Sequence, residues 1–213
     1  MILTYRLGWG LTRLIASTVF RMRRYGHRNI PETGPFIIAS NHKSLADPPL
    51  VGSFIWRQVH FMAKRELFKN PVFGAIIRST NAHPIRRGAI DKGAIETINN
   101  LLNGGQGVVI FPEGTRARGV DFLDPKPGIG LIARQALVPV VPAYIHGSDK
   151  MSEVFRGKEK MAVIYGEMLD KKEISRYDDS KLGYRELAEE IMRRIKGLKE
   201  DFLRRSRISP HKV

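Results

Sequence analysis

Beyond residue 31, short apolar segments alternate with amphipathic ones, and this alternation limits the possible folds more than any other feature of the sequence. Short apolar runs are typical of buried strands, whereas apolar residues spaced three or four apart are typical of helices. We predict strands at 36–39, 59–63, 108–111, 138–145 and 161–165, and helices at 48–56, 71–79, 89–102, 130–137 and through Leu187, Ile191, Ile195, Leu198 and Phe202. This order predicts an α/β fold, a single domain with a mostly parallel central sheet flanked by helices.

The positive charge is concentrated at the two ends of the chain. The sequence has 213 residues and a formal net charge of +15, and neither residues 1–31 nor residues 202–213 contain an acid. Strongly basic ends bind anionic surfaces, either nucleic acid or phospholipid. The sequence also has no cysteine, which excludes disulfide scaffolds and thiolate catalysis.

Residues 1–27 are predicted to form an amphipathic helix that lies in a membrane interface, ahead of a domain at 28–213. Tyr5 and Trp9 suit the headgroup boundary. Arg13 divides the apolar run in half, so the helix should lie in the interface rather than cross the membrane. We therefore expect an anionic phospholipid surface as a partner, and no nucleic acid. The alternative is a helix that packs on the protein's own core, and the two can coexist. The longest uncharged stretch is 16 residues, shorter than the ~20 that a spanning helix needs.

The segment 41–48, Asn-His-Lys-Ser-Leu-Ala-Asp-Pro, lies between the first of these strands and a predicted helix. Open α/β sheets bind their ligands at this position. His42 and Asp47 can meet within one such loop, where the carboxylate would hold the imidazole as a general base. A simpler interpretation is that Asp47 caps the helix before Pro48 and that His42 is solvated. Both interpretations stay open on these residues alone.

The segment 111–116, Phe-Pro-Glu-Gly-Thr-Arg, directly follows another predicted strand. Arg116 could contact a phosphate or polar headgroup there in bidentate fashion. The alternative is a turn glycine at Gly114 beside an internal ion pair between Glu113 and Arg116.

The combination of Asn-His-x-x-x-x-Asp with Phe-Pro-Glu-Gly-Thr-Arg some seventy residues later resembles the glycerolipid acyltransferases, in particular the 1-acylglycerol-3-phosphate acyltransferase family. Two weaker blocks fall in the family's order, Pro-Ile-Arg-Arg-Gly at 84–88 and Val-Pro-Val-Val-Pro at 138–142. The resemblance covers roughly residues 28–166. Arg86 stands where many members have an acid, and the 124–128 segment also departs from the common pattern.

The resemblance implies transfer of a fatty acyl group from a thioester to the sn-2 hydroxyl of lysophosphatidate, giving phosphatidate. His42 would be the general base and Asp47 its orienting partner, with no covalent intermediate. The implied substrate-binding residues are Arg87, Glu113, Gly114, Thr115 and Arg116. No metal or bound cofactor is implied, since the acyl donor, acyl-coenzyme A or acyl carrier protein, is a co-substrate. Such an enzyme would be a peripheral membrane protein at the cytoplasmic face of the cell membrane.

Three alternatives stay open. The acceptor could be another lysolipid, such as lyso-ornithine lipid. A thioesterase or lipid hydrolase would use water in place of the hydroxyl acceptor. A non-enzymatic lipid or nucleic-acid binder would leave His42 and Asp47 dispensable.

Overall fold

A seven-stranded sheet organises the computed structural model, which describes residues 2–85 and 92–208. Its order is β1-β7-β6-β2-β5-β3-β4. All neighbours are parallel except β6 and β7. The strands are β1 Arg23–Tyr25, β2 Phe36–Ser40, β3 Val59–Lys64, β4 Ala82–Ile85, β5 Gly107–Ile110, β6 Val140–His146 and β7 Ala162–Tyr165. The predicted α/β class with a mostly parallel sheet is confirmed.

Helices cover both faces of this sheet. They are α1 Ile2–Thr18, α2 Asp47–Gly52, α3 Pro71–Ser79, α4 Lys92–Asn103, α5 Gly128–Ala136, α6 Met151–Phe155, α7 Lys171–Ile174 and α8 Lys181–Ile208. Successive side chains of β2 point to opposite faces, so this fully buried strand contributes to two apolar cores. Phe36 and Ile38 lie in the core that includes α2, whereas Ile37 and Ala39 lie in the core that includes α4, α5 and α8.

The sheet topology brings several chain ends to one edge. The carboxyl ends of β2, β5 and β6 lie together because these strands are parallel neighbours. Since β7 is antiparallel to β6, and β1 is parallel to β7, the amino ends of β1 and β7 lie at this edge too. The loops that follow β2 and β5 are those in which the sequence places its candidate catalytic residues.

Helix α1 packs on the domain with one face and exposes the other. Tyr5 is buried, and its hydroxyl accepts a hydrogen bond from the N–H of Val59 at 3.1 Å. The opposite face exposes Leu3, Leu7, Leu11, Leu14 and Ile15, which we call the apolar stripe. The helix ends at Thr18, and β1 follows within the stretch 1–27, while the domain division at residue 27 stays a prediction. No helix within 2–85 or 92–208 combines the length and apolarity needed to cross a bilayer.

Candidate active site

His42 and Asp47 meet at the carboxyl end of β2. Nδ1 of His42 lies 2.8 Å from Oδ2 of Asp47, and both residues are buried. The same oxygen accepts the backbone N–H groups of Lys43 at 2.6 Å and Ser44 at 2.7 Å. An ionised carboxylate only accepts hydrogen bonds, so this geometry suits the tautomer of His42 that is protonated at Nδ1. This arrangement leaves Nε2 with a lone pair that can take a proton from a substrate.

The two simpler interpretations of this loop are wrong. Asp47 is itself the first residue of α2, Ala46 occupies the cap position, and no side chain caps the helix. The Asp47 carboxylate instead bonds the loop that precedes it. His42 is only 4% exposed, and its ring stacks on Phe111 with a centroid distance of 4.2 Å. The loop therefore holds the imidazole in one orientation rather than leaving it in solvent.

Asn41 fixes the same loop to the neighbouring strand β6. Its Oδ1 accepts the N–H of Ile145 at 2.8 Å, and its Nδ2 donates to the carbonyl of Ile145 at 3.0 Å. The side chain thus mimics a strand neighbour at the point where β2 ends. Sequence analysis gave no role to Asn41, although it stands directly before His42 in the matching motif.

Glu113 connects the loop after β5 to the loop after β2. Its Oε1 accepts the N–H of His42 at 2.9 Å, and its Oε2 accepts the N–H of Leu123 at 2.8 Å. The alternative of an internal ion pair with Arg116 is wrong, because both oxygens of the buried carboxylate accept backbone N–H groups. Burial raises the pKa of Glu113, and the two N–H donors partly oppose that rise. A contact of Glu113 with substrate stays a prediction.

A loop at 117–126 closes over these residues. The N–H of Ala117 donates to the carbonyl of His42 at 2.8 Å, and Nζ of Lys43 donates to the carbonyl of Val120 at 2.7 Å. Asp121 extends this attachment, because it lies 3.6 Å from Nζ of Lys43 and also pairs with Lys199 of α8. Lys43 could not be identified from the sequence, because a lysine that donates to a distant backbone carbonyl belongs to no recognisable motif.

The remaining predicted substrate-binding residues follow Glu113 in the chain. Gly114 adopts a φ of 69°, a left-handed conformation that favours glycine, and turns the chain beyond the buried carboxylate. Gly114 and Thr115 are exposed, and Arg116 is half-buried beside them. Arg87 lies outside the described residues. Within the described ranges, no cluster of three or more His, Cys, Asp or Glu side chains could hold a metal ion.

Glu113→Gln should lower turnover by about tenfold or more and destabilise the fold by about 1–3 kcal/mol. The amide that replaces one carboxylate oxygen cannot accept, so one buried N–H, of His42 or of Leu123, loses its acceptor. Steady-state kinetics and thermal unfolding measure the two effects. Glu96→Gln is a matched control, because it makes the same exchange at an exposed position of α4, and it should change neither quantity. Wild-type turnover in Glu113→Gln would contradict the positioning of His42 by this carboxylate.

Comparison with known proteins gives a consistent set of relatives. The family model described as Acyltransferase matches residues 21–146. The chain is 32% identical over 195 residues to the 1-acyl-sn-glycerol-3-phosphate acyltransferase of Bacillus subtilis (strain 168), covering 91% of this chain and 96% of the relative. It is 32% identical to the lyso-ornithine lipid O-acyltransferase of Pseudomonas aeruginosa, covering 64% of this chain and 52% of that relative.

The fold has a counterpart among solved structures. The crystal structure of the 1-acyl-sn-glycerophosphate acyltransferase PlsC from Thermotoga maritima superimposes with a TM-score of 0.65 at 30% identity. The match covers 90% of this chain and 79% of that chain. Fold and sequence comparisons therefore agree over most of the chain.

Proposed function

Since the chain belongs to the acyltransferase family, we propose that it transfers a fatty acyl group from an acyl thioester to the sn-2 hydroxyl of lysophosphatidate. The observation that carries this proposal is the bond between His42 Nδ1 and Asp47 Oδ2, with two further N–H donors on the same oxygen. A buried imidazole with a fixed tautomer and a free Nε2 is what general-base activation of a hydroxyl requires.

The reaction then needs one proton carrier. Nε2 of His42 takes the proton of the acceptor hydroxyl as its oxygen attacks the thioester carbonyl carbon. An acyl C–O bond forms, the C–S bond breaks, and the imidazolium returns the proton to the departing thiolate. Asp47 stabilises the imidazolium through Nδ1. The acyl group passes directly between the two substrates, so the mechanism uses no acyl-enzyme and no cofactor beyond the thioester carrier.

The phosphate of the acceptor would be held by arginine. Arg116 is half-buried and follows Glu113 by three residues in the loop that the Glu113 carboxylate joins to the N–H of His42. Gly114 and Thr115 in the same loop would shape the glycerol site, and Arg87 would supply a second cation. A guanidinium is suited to this task because it contacts phosphate through two parallel N–H bonds.

Arg116→Ala should raise KM for lysophosphatidate by about tenfold or more, with little change in KM for the thioester. Losing a charge-assisted hydrogen bond is worth about 1.5–3 kcal/mol, and each 1.4 kcal/mol is tenfold. Arg116→Lys should rescue poorly, since an ammonium cannot make the bidentate contact. The neighbouring exposed Arg118→Ala is the matched control. An unchanged KM for the acceptor in Arg116→Ala would remove this residue from the acceptor site.

A second acceptor is worth testing because one relative is named a lyso-ornithine lipid O-acyltransferase. Purified full-length protein in detergent would be given radiolabelled acyl donors with lysophosphatidate, lyso-ornithine lipid and other lysophospholipids. Labelled phosphatidate supports the proposal, and labelled ornithine lipid supports the second candidate. Free fatty acid as the main product would indicate a thioesterase or hydrolase. No acyl turnover with any lysolipid would leave only a binding role.

We also propose that the enzyme works as a peripheral protein at an anionic membrane, on its cytoplasmic face. The apolar stripe of α1 supports this, with Leu7 65% exposed and Leu11 59% exposed. Helix α3 adds exposed apolar side chains nearby, since α1 and α3 are in contact: Val72, Phe73 and Ile76. Exposed apolar side chains grouped on two helices in contact are typical of an interaction site on a protein.

A further inference from the structure

An open cavity of about 640 Å³ lies outside the residues assigned to acyl transfer. It is formed where α1 ends and β1 begins, together with α6, the approach to β7, and α8. The chain turns at Arg21, which adopts a φ of 47°, and this turn places residues on either side of it in the cavity wall. Cavities of roughly 300–1,000 Å³ are typical of small-molecule sites.

The cavity carries positive charge that the protein does not neutralise. Arg21, Arg23 and Arg156 line it and are exposed, and none has an ion pair with an acid in the part of the chain that the structure describes. Glu159 also lines the cavity, but it already pairs with two basic side chains outside the cavity wall. Its carboxylate lies 3.0 Å from Nζ of Lys150 and 3.2 Å from Nε2 of His146. The cavity is therefore suited to an anion with more than one charge.

Aromatic rings line the same cavity between the arginines. Phe20, Tyr25, Phe155 and Phe202 all contribute to its wall. Phe155 is the exposed ring among these four, with 70% of its surface exposed, so one of these rings is open to a ligand. The hydroxyl of Tyr25 is shielded from solvent and has no hydrogen-bond partner among the described residues. Arginines beside an exposed ring can bind a phosphorylated nucleotide, because the guanidinium groups contact the phosphates and the ring stacks on the base.

The sheet places this cavity within reach of His42. Arg23 is opposite Ala162 of β7, and Ala162 is opposite His146 at the carboxyl end of β6. The cavity therefore lies at the same edge of the sheet as the loop after β2. Three strand spacings separate β1 from β2, about 14 Å in all. A donor bound here needs a long arm between its anionic end and its reactive thioester.

We propose that this cavity binds the nucleotide end of a coenzyme A thioester, an inference that rests on the proposed acyl transfer. The phosphates lie against Arg21, Arg23 and Arg156, and the adenine lies against the exposed ring of Phe155. The pantetheine arm then spans the distance from the cavity to His42. A concave cavity encloses a small nucleotide, whereas an acidic carrier protein would bind to a flat basic surface. The shape of this cavity therefore favours the nucleotide.

Calorimetry on the full-length protein in detergent tests this directly, with adenosine 3′,5′-bisphosphate and coenzyme A as probes. Arg23→Gln combined with Arg156→Gln should weaken the binding of both probes about ten- to a hundredfold, because charge-assisted contacts to the phosphates are lost. Lys171→Gln combined with Lys172→Gln is the matched control, because it removes the same charge from exposed positions on α7. The control should bind both probes as the wild type does.

A second variant separates the base from the phosphates. Phe155→Ala should weaken the binding of adenosine 3′,5′-bisphosphate by about fivefold or more, because the stacking ring is lost. The binding of pyrophosphate, which has no base, should stay unchanged. An equal loss for both probes, or no loss for either, would overturn the placement of the adenine on this ring.

Kinetics complete the test. The double arginine variant should raise KM for acyl-coenzyme A and leave KM for lysophosphatidate unchanged. A wild-type protein that binds neither probe, or a double variant that binds both normally, would overturn the proposal. Loss of vesicle binding or of acyl carrier protein turnover in that variant, without nucleotide affinity, would assign the cavity to a lipid or a carrier protein instead. Nucleotide binding needs no turnover, so its result stands apart from the product assay.

Discussion

Replacing His42 with alanine should lower the turnover of lysophosphatidate by about 10²–10⁴-fold, the usual contribution of a general base. Nε2 is the only proton acceptor that the loop after β2 presents with a fixed tautomer. Asp47→Ala should lose a comparable factor, because the orientation of the imidazole depends on Oδ2. This second variant should also lose stability, about 1–3 kcal/mol, since the N–H groups of Lys43 and Ser44 lose their acceptor.

Initial-rate assays with a labelled donor measure the loss, and thermal unfolding shows whether each variant folds. Ser44→Ala is the matched control, because its hydroxyl lies in the same loop and accepts only the N–H of Ala46, at 3.2 Å. We expect it to retain near wild-type turnover. A folded His42→Ala protein with normal turnover would contradict the mechanism, and an acyl group trapped on Ser44 would indicate a ping-pong enzyme.

The elements that could be predicted are those whose own residues determine their secondary structure. Helix α3 occupies the predicted residues, because Asn70 caps it, accepting the N–H of Phe73 at 2.9 Å, and Pro71 starts it. Strand β2 is a run of apolar residues that is buried on both faces, so its sequence identifies it wherever it lies in the sheet. Both depend on interactions within a few residues.

The strands that sequence analysis missed depend on distant partners. Strand β1 reads Arg-Arg-Tyr, a polar triplet that becomes a strand only because β7, far along the chain, offers its edge. Strand β4 contains Pro84, which lacks an N–H and is typical of edge strands rather than central ones. The hydrophobic periodicity of the sequence therefore predicts neither strand.

The same distinction applies to the site. His42 and Asp47 could be paired from sequence because they are five residues apart in one loop. The bond from the N–H of His42 to Glu113 joins residues 71 apart, and its donor is backbone. A backbone donor leaves no trace in residue types, so an ion pair with Arg116 stood as the alternative to a substrate-binding role for Glu113. The clamp of Asn41 on Ile145 was hidden for the same reason.

Helix α1 packs on the protein's own core, one of the two alternatives that its sequence left open, and it leaves an apolar face exposed for the proposed membrane contact. Its buried face packs through Tyr5 and Ala16, and its apolar stripe faces away from the domain. Arg13 lies between the two, with its guanidinium over the rings of Trp9 and Trp56 at 5.1 and 4.5 Å. Deleting the helix would therefore remove packing and the proposed membrane contact together. Substitutions on the apolar stripe separate these two roles.

Replacing Leu7, Leu11 and Leu14 together with serine should weaken binding to anionic vesicles by about a hundredfold or more. Each leucine that inserts fully contributes ~1.5–3 kcal/mol, so three exceed the hundredfold even if insertion is partial. Folding should change little, because all three side chains are more than half exposed in the free protein. Vesicle flotation or tryptophan fluorescence measures the affinity, and thermal unfolding checks the fold.

Salt separates the apolar contribution from the basic one in the same experiment. Basic residues near an anionic surface contribute ~1 kcal/mol each, within a Debye length of ~8 Å at physiological salt, whereas apolar insertion hardly depends on salt. Wild-type binding should weaken at high salt but persist, and the residual binding of the triple variant should be abolished. A single Leu7→Ser variant should show part of the loss, and Leu182→Ser, at an equally exposed leucine on α8, is its control and should leave binding unchanged. A triple variant that binds vesicles normally at high salt would place the membrane contact on another surface, of which the exposed side chains of α3 are the next to test.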